Sequence, residues 1–429
     1  MEHAFGKAIV GKRDIWLWAL YDFANSMAFA GVMFYFSLWF VVDLGASDLW
    51  ISVAVAVVTI LLVFTLPILG HLSDHMRRRM PFLAMMSFLC IVSLLLLGFI
   101  GNTLESLTQI STVIIIVLYF CFQYFYQASF AFYDAYLQDL RRTGISVEKI
   151  SGIGMAMGQL GNLFGLALLI PFALGKVPLP WLSGKPAAFI VAAVLFFLFF
   201  LPTLFFLKDS RIVSSYQSER SALGKPIRQT FADLRHLHRY PGVLPYLISY
   251  FLFSDALLTL TIFATLYLEV VGELSDLEKN GVVFAAVLFG ILGACMSSQF
   301  VRWLGGLKKA ITVFVVTWGF CLILFGIARN PFVFMIIAIL NGFTFSILFA
   351  LSRAFYALLI PKEKQAELFS IYVLFERAAS ILGPLVWSGA AFFFSSYGPD
   401  KYRFSVFALA FLVFVSAIPL RFVHEPKSE

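Results

Sequence analysis

The chain has 429 residues, of which 61% are hydrophobic and 13% charged, whereas ordinary soluble domains carry about 25% charged residues; a water-solvated globular protein is excluded. Its formal net charge of +7 would suit nucleic acid only if the basic residues were clustered, and they fall instead in alternate loops, so no nucleic-acid partner is expected.

Apolar residues, 50 Phe among them, arrive in blocks of the length that about 30 Å of hydrocarbon demands of a helix. The first block runs from about Ile15 to about Val42, too long for the core of a cleavable signal, and is read as the first span. Further spans are predicted near 50–73, 80–101, 111–137, 151–175 and 186–207. A polar segment follows, rich in Arg and Lys, and then spans near 243–271, 280–301, 308–328, 332–360, 366–396 and 402–423. The predicted fold class is an all-α membrane protein with twelve transmembrane helices in two six-helix bundles, 1–207 and 243–429, joined by a linker over 208–242.

Of the 31 Lys and Arg, 23 lie in the termini and even-numbered loops and 6 in the odd-numbered ones. Such a bias predicts cytoplasmic termini and a cytoplasmic linker. Short loops suggest a bacterial inner membrane. Phe132-Tyr133 on the fourth span and Phe355-Tyr356 on the tenth occupy matching places in a six-plus-six repeat, as do Asp22 on the first span and Asp255 on the seventh.

Ionisable residues inside spans are costly and therefore informative. Asp22, Asn25, Ser26 and Phe29 follow the i, i+3, i+4, i+7 rule, which sets a carboxylate, an amide and a hydroxyl on one helix face. The fourth span adds Asp134, the seventh Asp255, the tenth Asn341 and Arg353, and the eleventh Glu376 and Arg377. These nine are the candidate substrate or coupling-ion path, Phe29 standing apart as apolar. A carboxylate in a poorly solvated cavity can load and release H⁺ as access alternates, whereas the competing reading is of interhelical pairs that fix packing. Glu269 is expected to be solvated near the outer surface. Gly154, Gly158, Gly161 and Gly165 in the fifth span repeat at the spacing that permits close helix crossing.

The four cysteines, Cys90, Cys121, Cys295 and Cys321, lie in apolar blocks without metal-ligand spacing. No GxSxG, HExxH, P-loop or GxGxxG stands in a fitting context. No catalytic residue, metal or cofactor is therefore proposed.

Gly70-His71-Leu72-Ser73-Asp74-His75-Met76-Arg77-Arg78-Arg79, after the second span, resembles the loop motif of the major facilitator superfamily. The resemblance implies a cytoplasmic gate formed by Gly70, Asp74 and Arg78. Tyr21-Asp22-Phe23-Ala24-Asn25-Ser26 is similar to the first-span signature of the vacuole-effluxer-like branch of that superfamily. Tyr133-Asp134-Ala135-Tyr136-Leu137, Ala366-Glu367-Leu368-Phe369 and Leu382-Gly383-Pro384 extend the similarity across both halves. It implies a secondary transporter that moves a small-molecule substrate across the lipid bilayer, with amino acids or related metabolites as the first substrate class; H⁺ is the expected coupling ion on the strength of the intramembrane carboxylates, and a monomer is expected. An amphiphile such as a lysolipid or peptidoglycan fragment is the alternative substrate; a non-transporting sensor or membrane-embedded enzyme is the alternative class. A channel is disfavoured because no span shows a filter-like loop.

Overall fold

The computed structural model describes residues 11–76, 78–104, 108–140, 143, 145, 147–177, 183–207, 237, 240–360, 371–372, 375–376 and 378–423. Every regular element among them is helical. In chain order they are α1 (Lys12–Leu38), which runs on through a wider turn over Trp39–Asp43, α2 (Leu49–Met76), α3 (Met80–Thr103), α4 (Gln109–Leu140), α5 (Val147–Ala173) and α6 (Gly184–Phe206). There follow α7 (Val243–Val270), α8 (Asp276–Leu304), α9 (Leu307–Ile327), α10 (Pro331–Leu359), α11 (Leu382–Phe393) and α12 (Lys401–Leu420). Among the described residues 11 helical stretches are long and apolar enough to cross a membrane, and α11 is a shorter apolar helix. The expected span at 366–396 is thus described as a continuous helix over Leu382–Phe393, with further helical residues at 371–372, 375–376 and 378, and most of the linker at 208–242 lies outside the described residues.

These segments are helical because a bilayer offers backbone groups no partner, so each N–H must find its carbonyl within the same segment. Their ends carry the usual stop signals. Ser275 and Glu278 form a capping box at the start of α8, which satisfies two orphan N–H donors. Asn330 caps α10 ahead of Pro331, and Gly305, at φ +74°, ends α8 where a side chain would be strained. Outward-facing Phe88 (58% exposed) and Phe99 (52%) on α3 would be a liability in water but suit a lipid-facing surface.

Two compact units emerge, residues 1–32 with 64–227 and residues 33–63 with 228–429. Within the first, α3 packs on α4 and α6, and α5 on α6. Within the second, α9 packs on α10 and α12, and α11 on α12. These pairs correspond one to one under a six-helix shift. The second unit also holds the close α8–α10 crossing, where Gly290, Gly293 and Gly342 leave no room for a Cβ beside the facing helix.

Two buried cations show how charge is held inside the units. Arg79 is buried and its Nη1 donates to the Ala135 carbonyl at 2.6 Å, joining the start of α3 to the end of α4. Glu269, expected to be solvated, instead pairs with Lys279, which is itself 4% exposed and lies 2.8 Å from Asp276. A buried ammonium needs such partners.

Candidate functional site

In the first unit the carboxylate of Asp22 sits at the meeting of α1, α4 and α5. Gly158 on α5 faces it so closely that a Cβ there would lie 2.9 Å from Asp22 Oδ1. Gly154 leaves the space filled by the Trp18 indole and the Tyr133 hydroxyl. A methyl on Gly161 would fall inside contact distance of the Phe23 carbonyl, and Gly165 sits against Met27. The glycine stripe thus sets the depth of the α1–α5 crossing, and that depth brings Asp22 against α5.

Two hydroxyls serve the carboxylate. Tyr133 donates to Oδ2 at 3.2 Å and Ser26 to Oδ1 at 3.4 Å. Both are long for O–H···O bonds, and no ion pair to Asp22 occurs among the described residues. Tyr133 is itself held in place: its ring stacks on Trp18 with centroids 4.4 Å apart and planes 1° from parallel, and Trp18 Nε1 donates to the Tyr133 carbonyl at 2.9 Å. Such a stack adds about 0.5–1.5 kcal/mol beyond burial. Tyr21, fully enclosed, bonds Ser87 at 2.9 Å. The charge on Asp134 reaches Asp22, although the Asp134 side chain is itself exposed. Asn25, one turn along α1, is fully enclosed, and neither Nδ2 nor Oδ1 has a hydrogen-bond partner among the described residues. Buried carboxamides are seldom left so.

The second unit repeats the pairing of acid with glycine but in a different state. Asp255 on α7 is fully enclosed, and its Oδ2 accepts from the Gly383 N–H at 2.7 Å, the second residue of α11. A Cβ on Gly383 would lie 2.8 Å from Asp255 Oδ1. A carboxylate here satisfies an orphan donor and faces the positive end of a helix. Asp255→Ala is expected to cost about 2 kcal/mol by stranding that N–H, seen as a lower thermal midpoint in detergent, whereas Asp255→Asn retains an acceptor and should lose much less.

Arg353 and Glu376 lie at a different level, close enough to Tyr250 and Tyr372 to act on them electrostatically. Tyr250 stacks on Tyr372 at 4.6 Å, the Tyr356 ring lies tilted against Tyr372 at 4.9 Å, and Tyr246 donates to the Ser352 carbonyl at 2.8 Å. Asn341 is 8% exposed on α10 and its Oδ1 has no partner. Gly70 has open space around it and Arg78 is exposed. Arg377 and the side chain of Asp74 lie outside the described residues.

Asp22, Ser26 and Asp134 are therefore brought together, Asn25 lies beside them on α1, and Asp255 is engaged elsewhere. Trp18 and the chemical role of Tyr133 were missed from sequence, although Trp18 stands at i−4 from Asp22, a spacing that puts it on the same face. The tyrosines of the second unit were missed as well; Tyr246 and Tyr250 carry the same i, i+4 signal.

The profile of the family described as vacuole effluxer Atg22 like matches residues 45–429. The MFS-type transporter YxiO of Bacillus subtilis is 22% identical over 96% of this chain and 95% of its own length. Autophagy-related protein 22 of Vanderwaltozyma polyspora is 25% identical over 94% of this chain and 76% of its own. Among solved structures, the nucleoside transporter NupG superposes with a TM-score of 0.73 at 14% identity, covering 95% of this chain and 98% of that one. A D-xylose-proton symporter superposes with a TM-score of 0.72 at 12% identity, covering 97% of this chain and 98% of that one.

Proposed function

Since the chain belongs to the vacuole effluxer Atg22 like family and is an MFS-type transporter, we propose that it moves a small polar solute by alternating access, coupled to H⁺ through Asp22. The observation that carries this reading is the contrast between the two acids. Asp255 accepts a backbone N–H at 2.7 Å through one oxygen and has its other oxygen buried without a hydrogen-bond partner among the described residues, while both oxygens of Asp22 accept long hydroxyl bonds, beside an enclosed carboxamide that has no partner among the described residues. A carboxylate in that condition can exchange a proton or a substrate ammonium for those weak bonds at little cost. Asn25 supplies one donor and one acceptor edge for a polar ligand. Asp134, in the same unit, is the next contributor, and rocking of two six-helix bundles is the motion that such alternating access uses. Asp74 with Arg78 would form the gate at the side of the termini, which the loop charges put in the cytoplasm.

Amino acids and related small metabolites are the first substrate class, supported by the vacuole effluxer relatives. The test is flux in proteoliposomes loaded with a pooled metabolite extract, driven by an imposed pH gradient and read by mass spectrometry. One or a few polar solutes are expected to move under the gradient and to stop when it is collapsed with a protonophore. Movement indifferent to the gradient would remove the proton from the scheme. Movement of lysolipids alone would replace the polar substrate with an amphiphile.

A further inference from the structure

Residues 33–63 belong to the second compact unit although they include the end of α1 and the start of α2. The corner between these helices is fastened there by buried polar bonds. Asp48, 6% exposed, accepts from Ser388 Oγ at 3.2 Å, and Ser388 lies 2.7 Å from Ser52 Oγ, both serines being almost fully enclosed. A second tie runs from the Tyr35 hydroxyl to Asn280 Oδ1 at 3.0 Å. In the first tie the only ionisable group is Asp48, and a carboxylate is an expensive group to enclose. Its main chain has a separate task, since its carbonyl accepts the first helical bonds of α2 from Ile51 and Ser52; that task does not require the side chain to reach α11.

Among the described residues the charged and titratable groups that face Asp48 are Lys401 and Tyr402, both from α12, while α11 presents the neutral Ser388. The Lys401 ammonium sits over the Tyr402 ring, 4.9 Å from its centroid, so its charge is shared between the ring and Asp48.

We propose that Asp48, Ser388 and Ser52 form a proton-operated clasp: with a proton on Asp48 the α1–α2 corner is held against α11, and departure of that proton to water releases it. The clasp rests on the alternating-access reading and assigns it a proton site separate from Asp22, at the end of α1 remote from the N-terminus. Burial pushes the Asp48 carboxyl up from its ordinary value, while the Ser388 hydroxyl and the Lys401 charge pull part of the way back. A carboxyl that holds its proton more tightly when clasped than when hydrated stabilises the clasp below its clasped-state value, and that contribution is lost as pH rises through it. Either serine can be the donor in the Ser52–Ser388 bond, so the chain can turn round and Ser388 can accept a hydrogen bond from protonated Asp48 without moving a heavy atom.

The test uses the full chain in lipid nanodiscs, with the four native cysteines replaced and spin labels at Val42→Cys and Ser396→Cys, both exposed positions. Interspin distances are read from about pH 5 to about pH 9, a range that brackets a raised carboxyl. A single short distance at low pH, with a longer population that grows as pH rises, is expected of the wild type. Asp48→Asn, a neutral isostere, should hold the short distance throughout, and Ser388→Ala should show the longer population at lower pH than the wild type. A longer population that grows equally in Asp48→Asn, or grows as pH falls, or is absent from the wild type at every pH, overturns the clasp. The readout needs no substrate, so failure of the transport reading shows separately: opening that follows pH in a chain that moves no solute keeps the clasp and removes the transport role. Asp22→Asn should leave the distance response in place, which separates the two proton sites.

Discussion

Asp22→Asn is expected to reduce gradient-driven solute movement to the rate of protein-free liposomes while leaving the thermal midpoint close to that of the wild type. The substitution keeps the size of the side chain; its carboxamide oxygen can accept from one of the two hydroxyls, Tyr133 or Ser26, and its NH2 can donate to the oxygen of the other. What it removes is the charge and the capacity to carry a proton. Because Asp22 has no ion pair among the described residues, no cation is stranded, and the usual penalty for breaking a buried pair, about 3–5 kcal/mol, does not arise. A structural acid behaves in the opposite way. Transport unaffected by Asp22→Asn would assign the residue to packing, and a collapse in the thermal midpoint would do the same. Flux assays beside differential scanning fluorimetry on the same preparation separate the three cases.

Gly161→Ala is expected to destabilise the first unit by about 3 kcal/mol, the upper part of the range for forcing a methyl into a packed site. The obstruction is the Phe23 carbonyl together with its Cα and carbonyl carbon. That is backbone, which has no rotamer by which to give way, so α1 and α5 must separate along their whole crossing. Separation also withdraws Gly158 from Asp22 and Gly154 from Trp18, and the variant should lose transport as well as thermal stability. Gly389→Ala in α11 is the matched control, with nothing within 4 Å of the added carbon. There the change should be neutral or gain about 0.5–1 kcal/mol from helix propensity. Equal midpoints for the two variants would show that the α1–α5 crossing has slack that the packing does not suggest.

Much of the architecture was legible because the bilayer is a severe filter. Block length alone placed eleven of the twelve spans to within a few residues of the helices found, since in hydrocarbon a segment of that length has no alternative to the helix. The resemblance carried by Tyr21 to Ser26 pointed to the family for a related reason. Asp22, Ser26 and Asn25 share a short stretch of one helix, so their grouping is local and can be counted off at 3.6 residues per turn.

Tertiary structure decided what each acid does. Asp22 and Asp255 look equivalent in the sequence, each a lone carboxylate in an apolar span. Only the approach of a second helix distinguishes them: Gly158 comes to Asp22 from the middle of a helix, whose N–H groups are already bonded within it, whereas Gly383 comes to Asp255 from a helix start with a free N–H to offer. The same holds for Arg78 and Arg79, adjacent in sequence, of which one is exposed and the other spans to Ala135. It holds too for Glu269, whose partner Lys279 lies across a turn, and for Asp48, whose serine partner is 340 residues away. Hydrophobic block length depends on the solvent and is written into each segment separately. The state of a buried charge depends on the one or two atoms that reach it from other segments, and no single segment carries that information.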